Sequence, residues 1–348
     1  MNQHVLRKWA GTLITLWILL LVSGCGMTDL PGGKQFINPA DESWSYTNGR
    51  WSSAEEGEGW GKVMKGNQAG TRASIETDSP YAALKQRGTG GTITVFVDGK
   101  AAVTHEVPQD GKKHILPIYN KNEGWHQIEV AFSGLNSEID GLYVSKQARV
   151  KKPGLPRKKI VVIGHSYAEG CCLQERGTKS FAALVGDLLG MESVNAGIGR
   201  TDVNAGGANS GLSRVQKDVI DLKPDYVLAV YGINVLGSIN KKELTHDKYE
   251  ADYRSFITQI TDALPDTRVF ASGLIAARGM KDKTLAPISR DIERACASNS
   301  NCTYIDLAGK WNEGNFDKYL SADGMHPSEE GHVFLAEEYA KAISAVMK

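Results

Sequence analysis

One stretch constrains this chain more than any other: Lys159-Ile160-Val161-Val162-Ile163-Gly164-His165-Ser166. Four consecutive β-branched apolar residues fit a strand buried on both faces, as in a parallel sheet covered by helices. The run stops at Gly164, and a helix-like segment, Phe181–Leu189, follows. Open α/β sheets bind their ligands beyond the C-terminal ends of such strands. Ser166 is therefore either a nucleophile or the cap of a turn or helix. The far end of the chain bears on that choice, because Asp323-Gly324-Met325-His326-Pro327 places a carboxylate and an imidazole three residues apart.

From residue 159 to 348 apolar runs alternate with helical stretches. Strands are expected to end at Val194-Asn195 and to span Tyr226–Tyr231, Arg268–Ile275 and Thr303–Leu307. Helices are expected over Ser213–Asp221, Lys248–Ala263, Ile288–Cys296 and Gly331–Met347. This alternation predicts an α/β fold, a doubly wound parallel sheet with right-handed crossovers.

With those elements in place, four short blocks in order resemble the SGNH, or GDSL, hydrolases: Gly164-His165-Ser166, Asn195-Ala196-Gly197, Gly232-Ile233-Asn234 and Asp323-Gly324-Met325-His326. The resemblance implies a flavodoxin-like SGNH domain and an acyl-transfer site. Such a site needs a nucleophile, a base, a group to orient the base and donors for the developing oxyanion. Ser166 is then the nucleophile, His326 the base and Asp323 its orienter. The backbone N–H groups of Ser166 and Gly197 and the side-chain amide of Asn234 form the oxyanion hole. No metal or organic cofactor is implied. The departure is His165, which stands where the family usually has Asp. It reads as a structural replacement, against two rivals: a drifted loop with weakened activity, or His165 itself as base.

Residues 37–150 read as β. Segments such as Thr92–Val97 and His126–Phe132 alternate, and Asp98-Gly99, Asp110-Gly111 and Glu123-Gly124 separate such runs. Asp-Gly between alternating runs signals a hairpin, and short strands at this spacing predict a β-sandwich or jelly roll. Val95-Phe96-Val97-Asp98-Gly99 and Gly124-Trp125-His126 are similar to the N-terminal jelly roll of two-domain carbohydrate esterases of the SGNH class. Trp44, Trp51, Trp60 and Trp125 lie here. They are either packing residues or faces for sugar rings. Residues 151–158, basic with two prolines, read as a linker.

Residues 1–25 read as a targeting segment: Arg7 and Lys8, then an apolar stretch Gly11–Val22, shorter than a comfortable membrane span. Leu21-Val22-Ser23-Gly24-Cys25 resembles a bacterial lipobox, which implies an exported lipoprotein anchored to the membrane through lipidated Cys25, with 26–36 as tether. Export gives the other cysteines an oxidising setting. A local Cys296–Cys302 disulfide is expected, whereas Cys171 and Cys172 read as thiols or a strained vicinal pair. Zinc is a poor reading for that pair, since no histidine lies at ligand spacing in the sequence. Forty basic and forty acidic residues leave the 348-residue chain without net charge, which argues against nucleic acid as partner. The function expected is a serine esterase removing acetyl groups from a polysaccharide. The alternatives are an inert glycan-binding lipoprotein, or a lipase or acyltransferase on the same scaffold.

Overall fold

The computed structural model describes residues 33–347 apart from 57–60, 121–123, 135–136, 155–157 and 281. Cys25, Trp60, Glu123 and the leader with most of its tether lie outside the described residues.

All described pairings from Lys34 to Lys151 are antiparallel. One sheet orders Lys34–Ile37, Leu142–Ser145, Tyr81–Arg87 and Lys113–Asn120. A second orders Val150–Lys151, Arg72–Thr77, His126–Phe132, Thr92–Val97 and Lys100–Glu106, with Ser45–Thr47 also on Arg72–Thr77. Leu84, Leu142 and Val144 of the first meet Ile75, Val95, Ile128 and Val130 of the second in one core. The period of two that sends Ile128 and Val130 inward leaves Gln127 and Glu129 less buried. This is the expected sandwich.

One of its turns differs from expectation. Asp98-Gly99 closes a two-residue hairpin, with Val97 opposite Lys100 and φ of 52° and 74° at the two turn residues. Asp110-Gly111 has the same turn chemistry but joins strands of opposite sheets, since Lys100–Glu106 pairs with Thr92–Val97 and Lys113–Asn120 with Tyr81–Arg87. The segment containing Gly124 likewise crosses back, from Lys113–Asn120 to His126–Phe132. Of the tryptophans, Trp44 is buried, Trp51 packs on Tyr46 and Phe132, and exposed Trp125 lies under Arg149 and Lys151.

The second half is the predicted α/β fold. Its five parallel strands run in the order Glu192–Gly197, Lys159–Gly164, Tyr226–Val230, Arg268–Ser272, Cys302–Ile305. The chain starts at Lys159–Gly164, moves to one side and then to the other, so the topological switch point lies beside Gly164. Phe181–Leu189 and Glu329–Ser344 cover one face, while Gly211–Asp218, His246–Ala263 and Asp282–Ala297 cover the other. Helix starts shift from the expected positions because Ser210, Thr245 and Ser328 cap them. The helix expected from Ile288 begins at Asp282 and holds Pro287 in its second turn. The Cys296–Cys302 disulfide ties that helix to the last strand.

The halves touch closely. Arg72 bonds Glu129 on its own sheet at 2.8 Å and Asp187 across the boundary at 3.0 Å. The Asn48 N–H donates to Glu192 at 3.1 Å, and Arg50 pairs with Asp218 at 2.9 Å.

Candidate active site

Gly164 ends the strand Lys159–Gly164 where a Cβ would stand 2.4 Å from the Val230 carbonyl oxygen, so only glycine fits. The chain then turns into the short helix Ser166–Glu169. His165 caps it: its Nδ1 accepts the Tyr167 N–H at 3.3 Å. Its ring is 3% exposed and lies edge-on to Tyr167. Burial, helped by neighbouring His326, pushes the imidazole down to about 3, so it is neutral, the state in which Nδ1 can accept. His165 thus does the work of a capping carboxylate.

Ser166 opens that helix, where backbone N–H groups have no intrahelical partner. Its Oγ lies 3.0 Å from His326 Nε2, and His326 Nδ1 lies 2.6 Å from Asp323 Oδ2. Asp323 is held by its own turn: Oδ1 accepts from Ser321 Oγ at 2.7 Å, the Met325 N–H at 2.8 Å and the His326 N–H at 3.0 Å. Burial opposes the charge, but these bonds and that from the His326 ring outweigh it and hold the carboxyl well below the usual range. Gly324 takes φ 68° to let Asp323 and His326 share one turn. Tyr167 fastens this turn to the nucleophile helix, donating to the Met325 carbonyl at 2.8 Å.

The expected oxyanion donors are placed differently. Gly197 packs against the helix, where a Cβ would stand 2.1 Å from Glu169 N, and its N–H donates to Asn195 Oδ1 at 2.9 Å. That donor is occupied, because the Asn195 side chain folds back two residues. The backbone facing Ser166 is Gly199, whose Cβ would stand 3.7 Å from that of Ser166. Gly199 N–H donates to Glu169 Oε2 at 2.7 Å. Asn234 Nδ2 donates to the Thr201 carbonyl at 2.8 Å, which fixes the amide and leaves its second N–H.

Two buried residues escaped the sequence reading. Asp202 lies in the Gly/Asn-rich stretch Gly199–Gly211. It accepts from Gly232 N–H, Tyr249 OH and Val203 N–H. Burial, against these bonds, pushes its carboxyl up to about 6. Arg214 donates to the carbonyls of Ala196 and Gly164 and to Tyr231 Oη, gathering three strand ends under the site. Cys171 and Cys172 are free thiols. Contrary to the reading from spacing, a histidine, His326, stands beside them in space.

A serine hydroxyl on an imidazole, backed by a carboxylate, is equipped for acyl transfer. Comparison with known proteins agrees. Residues 162–334 match the GDSL-like lipase/acylhydrolase family. An acetylxylan esterase of Geobacillus stearothermophilus is 26% identical over 212 residues, covering 53% of this chain and 94% of that protein. A family two carbohydrate esterase from Cellvibrio japonicus superposes with a TM-score of 0.69 at 14% identity, covering 90% of this chain and 98% of that one. A salicylyl-acyltransferase from a tetracycline biosynthetic pathway gives 0.68 at 16%, with the same coverage, so the likeness extends through the β-rich half as well. The α/β half of this chain belongs to the GDSL-like lipase/acylhydrolase family, set behind a β-sandwich as in two-domain carbohydrate esterases.

Proposed function

We propose that this chain is a carbohydrate esterase that removes acetyl groups from a polysaccharide by a serine mechanism. The observation that carries the reading is the hydrogen-bonded chain Ser166–His326–Asp323 just beyond the strand Lys159–Gly164. The acetylxylan esterase relative supports the acyl group and the substrate class.

Ser166 Oγ attacks the acetyl carbonyl carbon while His326 Nε2 takes its proton, and Asp323 stabilises the imidazolium formed. The oxyanion receives the Ser166 N–H and the free N–H of Asn234. Collapse breaks the ester bond, and His326 protonates the departing sugar oxygen. Water then repeats the sequence on the acetyl-serine and releases acetate. None of these steps calls on a cofactor. Export and anchoring through Cys25 remain part of the proposal on the lipobox pattern alone, and would put the enzyme where polysaccharide is met.

Ser166→Ala should lower hydrolysis of an activated acetyl ester by at least about 10³-fold with circular dichroism unchanged. Acetate release from acetylated xylan, glucomannan, chitin fragments and peptidoglycan, measured beside this variant, identifies the polymer. Equal turnover in the variant rejects Ser166 as nucleophile. Binding of polymer without acetate release from any of them favours an inert glycan-binding protein.

A further inference from the structure

Directly after the nucleophile helix the chain carries two adjacent thiols. Cys172 sits at φ 74°, in the left-handed region that a side chain seldom adopts. This turns its sulfur towards the Asp323–His326 turn, so that Cys172 Sγ lies 3.4 Å from Asp323 Oδ2. Cys171 Sγ and Cys172 Sγ are 3.5 Å apart. A ring nitrogen of His326 and both sulfurs lie within 4.8 Å of one another. Two sulfurs and an imidazole nitrogen from segments about 150 residues apart therefore converge on one point.

We propose that Cys171, Cys172 and His326 form a site for a thiophilic divalent cation of the Zn²⁺ type, and that its occupation switches off the serine site. The first part rests on geometry alone; the second rests on the esterase reading of His326. A tetrahedral zinc holds thiolate sulfur at about 2.3 Å, which sets two such sulfurs about 3.8 Å apart. The observed 3.5 Å is close to that spacing, whereas a disulfide needs about 2.0 Å. Three protein donors leave a fourth position for water, as in open zinc sites. Cys172 is exposed and Cys171 half-buried, so a cation reaches them from solvent.

Binding is a balanced exchange: one divalent cation enters, two S–M bonds and one N–M bond form, and two thiol protons leave. At neutral pH the cation must displace the thiol protons, so affinity rises with pH. The Asp323 carboxylate, 3.4 Å from Cys172 Sγ, favours a cation held beside it. With a ring nitrogen of His326 bound to metal and the carboxylate drawn to the cation, the proton of Ser166 has no acceptor. Glu169, the last residue of the nucleophile helix, pairs with Arg176 at 2.9 Å.

The test uses the full chain, kept reduced and stripped of metal by a chelator, with Co²⁺ as an optical probe and Zn²⁺ as competitor. Wild type and Ser166→Ala should both develop a thiolate-to-cobalt charge-transfer band at one equivalent, and Zn²⁺ should bleach it. Cys171→Ser/Cys172→Ser, and Cys172→Ser alone as a milder variant, should lose the band while keeping their circular dichroism. In the wild type, saturating Zn²⁺ should lower acetyl-ester hydrolysis by at least about tenfold, reversibly with EDTA. The double variant, compared with its own metal-free rate, should be far less sensitive. Absence of the band in wild type at millimolar Co²⁺, or an equal band in the double variant, overturns the site. A band with unaltered hydrolysis overturns the switch. A band in a protein that shows no hydrolysis even without metal supports the site and sinks the esterase reading instead.

Discussion

At position 165 the chain replaces a carboxylate with an imidazole, and the structure gives that imidazole a capping role. An Asp at a helix N-cap accepts the same kind of bond. His165→Asp should therefore retain kcat/KM for an activated acetyl ester within about tenfold, since the bond made by Nδ1 is replaced. Wild-type His165, held down to about 3, should leave no limb of its own above pH 5. A dead His165→Asp enzyme with its helix content intact would contradict the capping role. His165 also has a signed effect on stability. Its folded form stays neutral while the unfolded imidazole gains a proton below about 6.5, so this contribution is present above that pH and is lost as pH falls towards 3. Buried His332, also pushed down to about 3 by burial, acts in the same direction. Urea-unfolding midpoints followed from pH 7 to 4 should fall less steeply in His165→Asp than in the wild type. Ser166, His326 and Asp323 were legible in sequence because each stands in a short local motif. Asp202 and Arg214 were not, since what makes them matter is burial under loops that come from elsewhere in the chain.

Two loops meet over the sheet edge: the one from Gly199 to Gly211 and the one carrying Gly232-Ile233-Asn234. Asp202 is the tie between them, accepting from Gly232 N–H at 2.8 Å while Tyr249 anchors it to the helix His246–Ala263 at 2.8 Å. Thr201 holds the Asn234 amide from the same loop. In Asp202→Asn one acceptor oxygen becomes an NH₂ that faces donors, so one of these bonds must open. The Asn234 loop should then lose its register. We expect kcat for an activated acetyl ester to fall by about 10²-fold, the scale of losing one oxyanion donor, with KM changed much less. A fall confined to KM, or unchanged kinetics in a folded variant, would remove Asp202 as a positioning residue. Burial raises this carboxyl to about 6, so its stability term runs opposite to that of His165: fully present below about 3.9 and lost as pH rises through 6. Element type followed from local pattern, as in the four-residue β-branched run of Lys159–Gly164 and the hairpin at Asp98-Gly99. Which sheet a strand joins did not. Asp110-Gly111 carries a hairpin signal, yet its two strands pair with partners in different sheets, a choice made by distant core residues.

The molecule works as a unit only if the sandwich and the α/β half keep their mutual position, because both line a cavity of about 330 Å³ beside the nucleophile helix, with Arg50, Asn67 and Gln68 on one side and Glu169, Gly197 and Arg214 on the other. The sequence placed the boundary near the basic, proline-containing segment after residue 150 but carried no sign of how the halves dock, since docking depends on side chains scattered from Asn48 to Asp218. Arg72 supplies one link. Burial disfavours its charge, yet Glu129 and Asp187 together hold the guanidinium above its ordinary value. Asp187 is half exposed, so much of its attraction is screened, and the closer fit comes from backbone. Gly177, in the short helix Arg176–Lys179, lies against the sandwich where a Cβ would stand 2.1 Å from the Phe132 carbonyl oxygen and 2.8 Å from Gly70 N. That oxygen already accepts the Gly70 N–H at 2.9 Å, so neither backbone can yield without breaking its partner's bond. Gly177→Val therefore has to push the halves apart. It should cost about 1–3 kcal/mol of stability by overpacking, read as a lower midpoint in thermal unfolding. Limited proteolysis should cut faster within 151–158, where the chain passes from one half to the other. Turnover of a small activated ester, which needs only the Ser166 end, should suffer less than turnover of acetylated polymer, which would span the shared cavity. Equal losses on both substrates, or a midpoint and cleavage rate like those of the wild type, would show that the docking does not contribute to polymer handling.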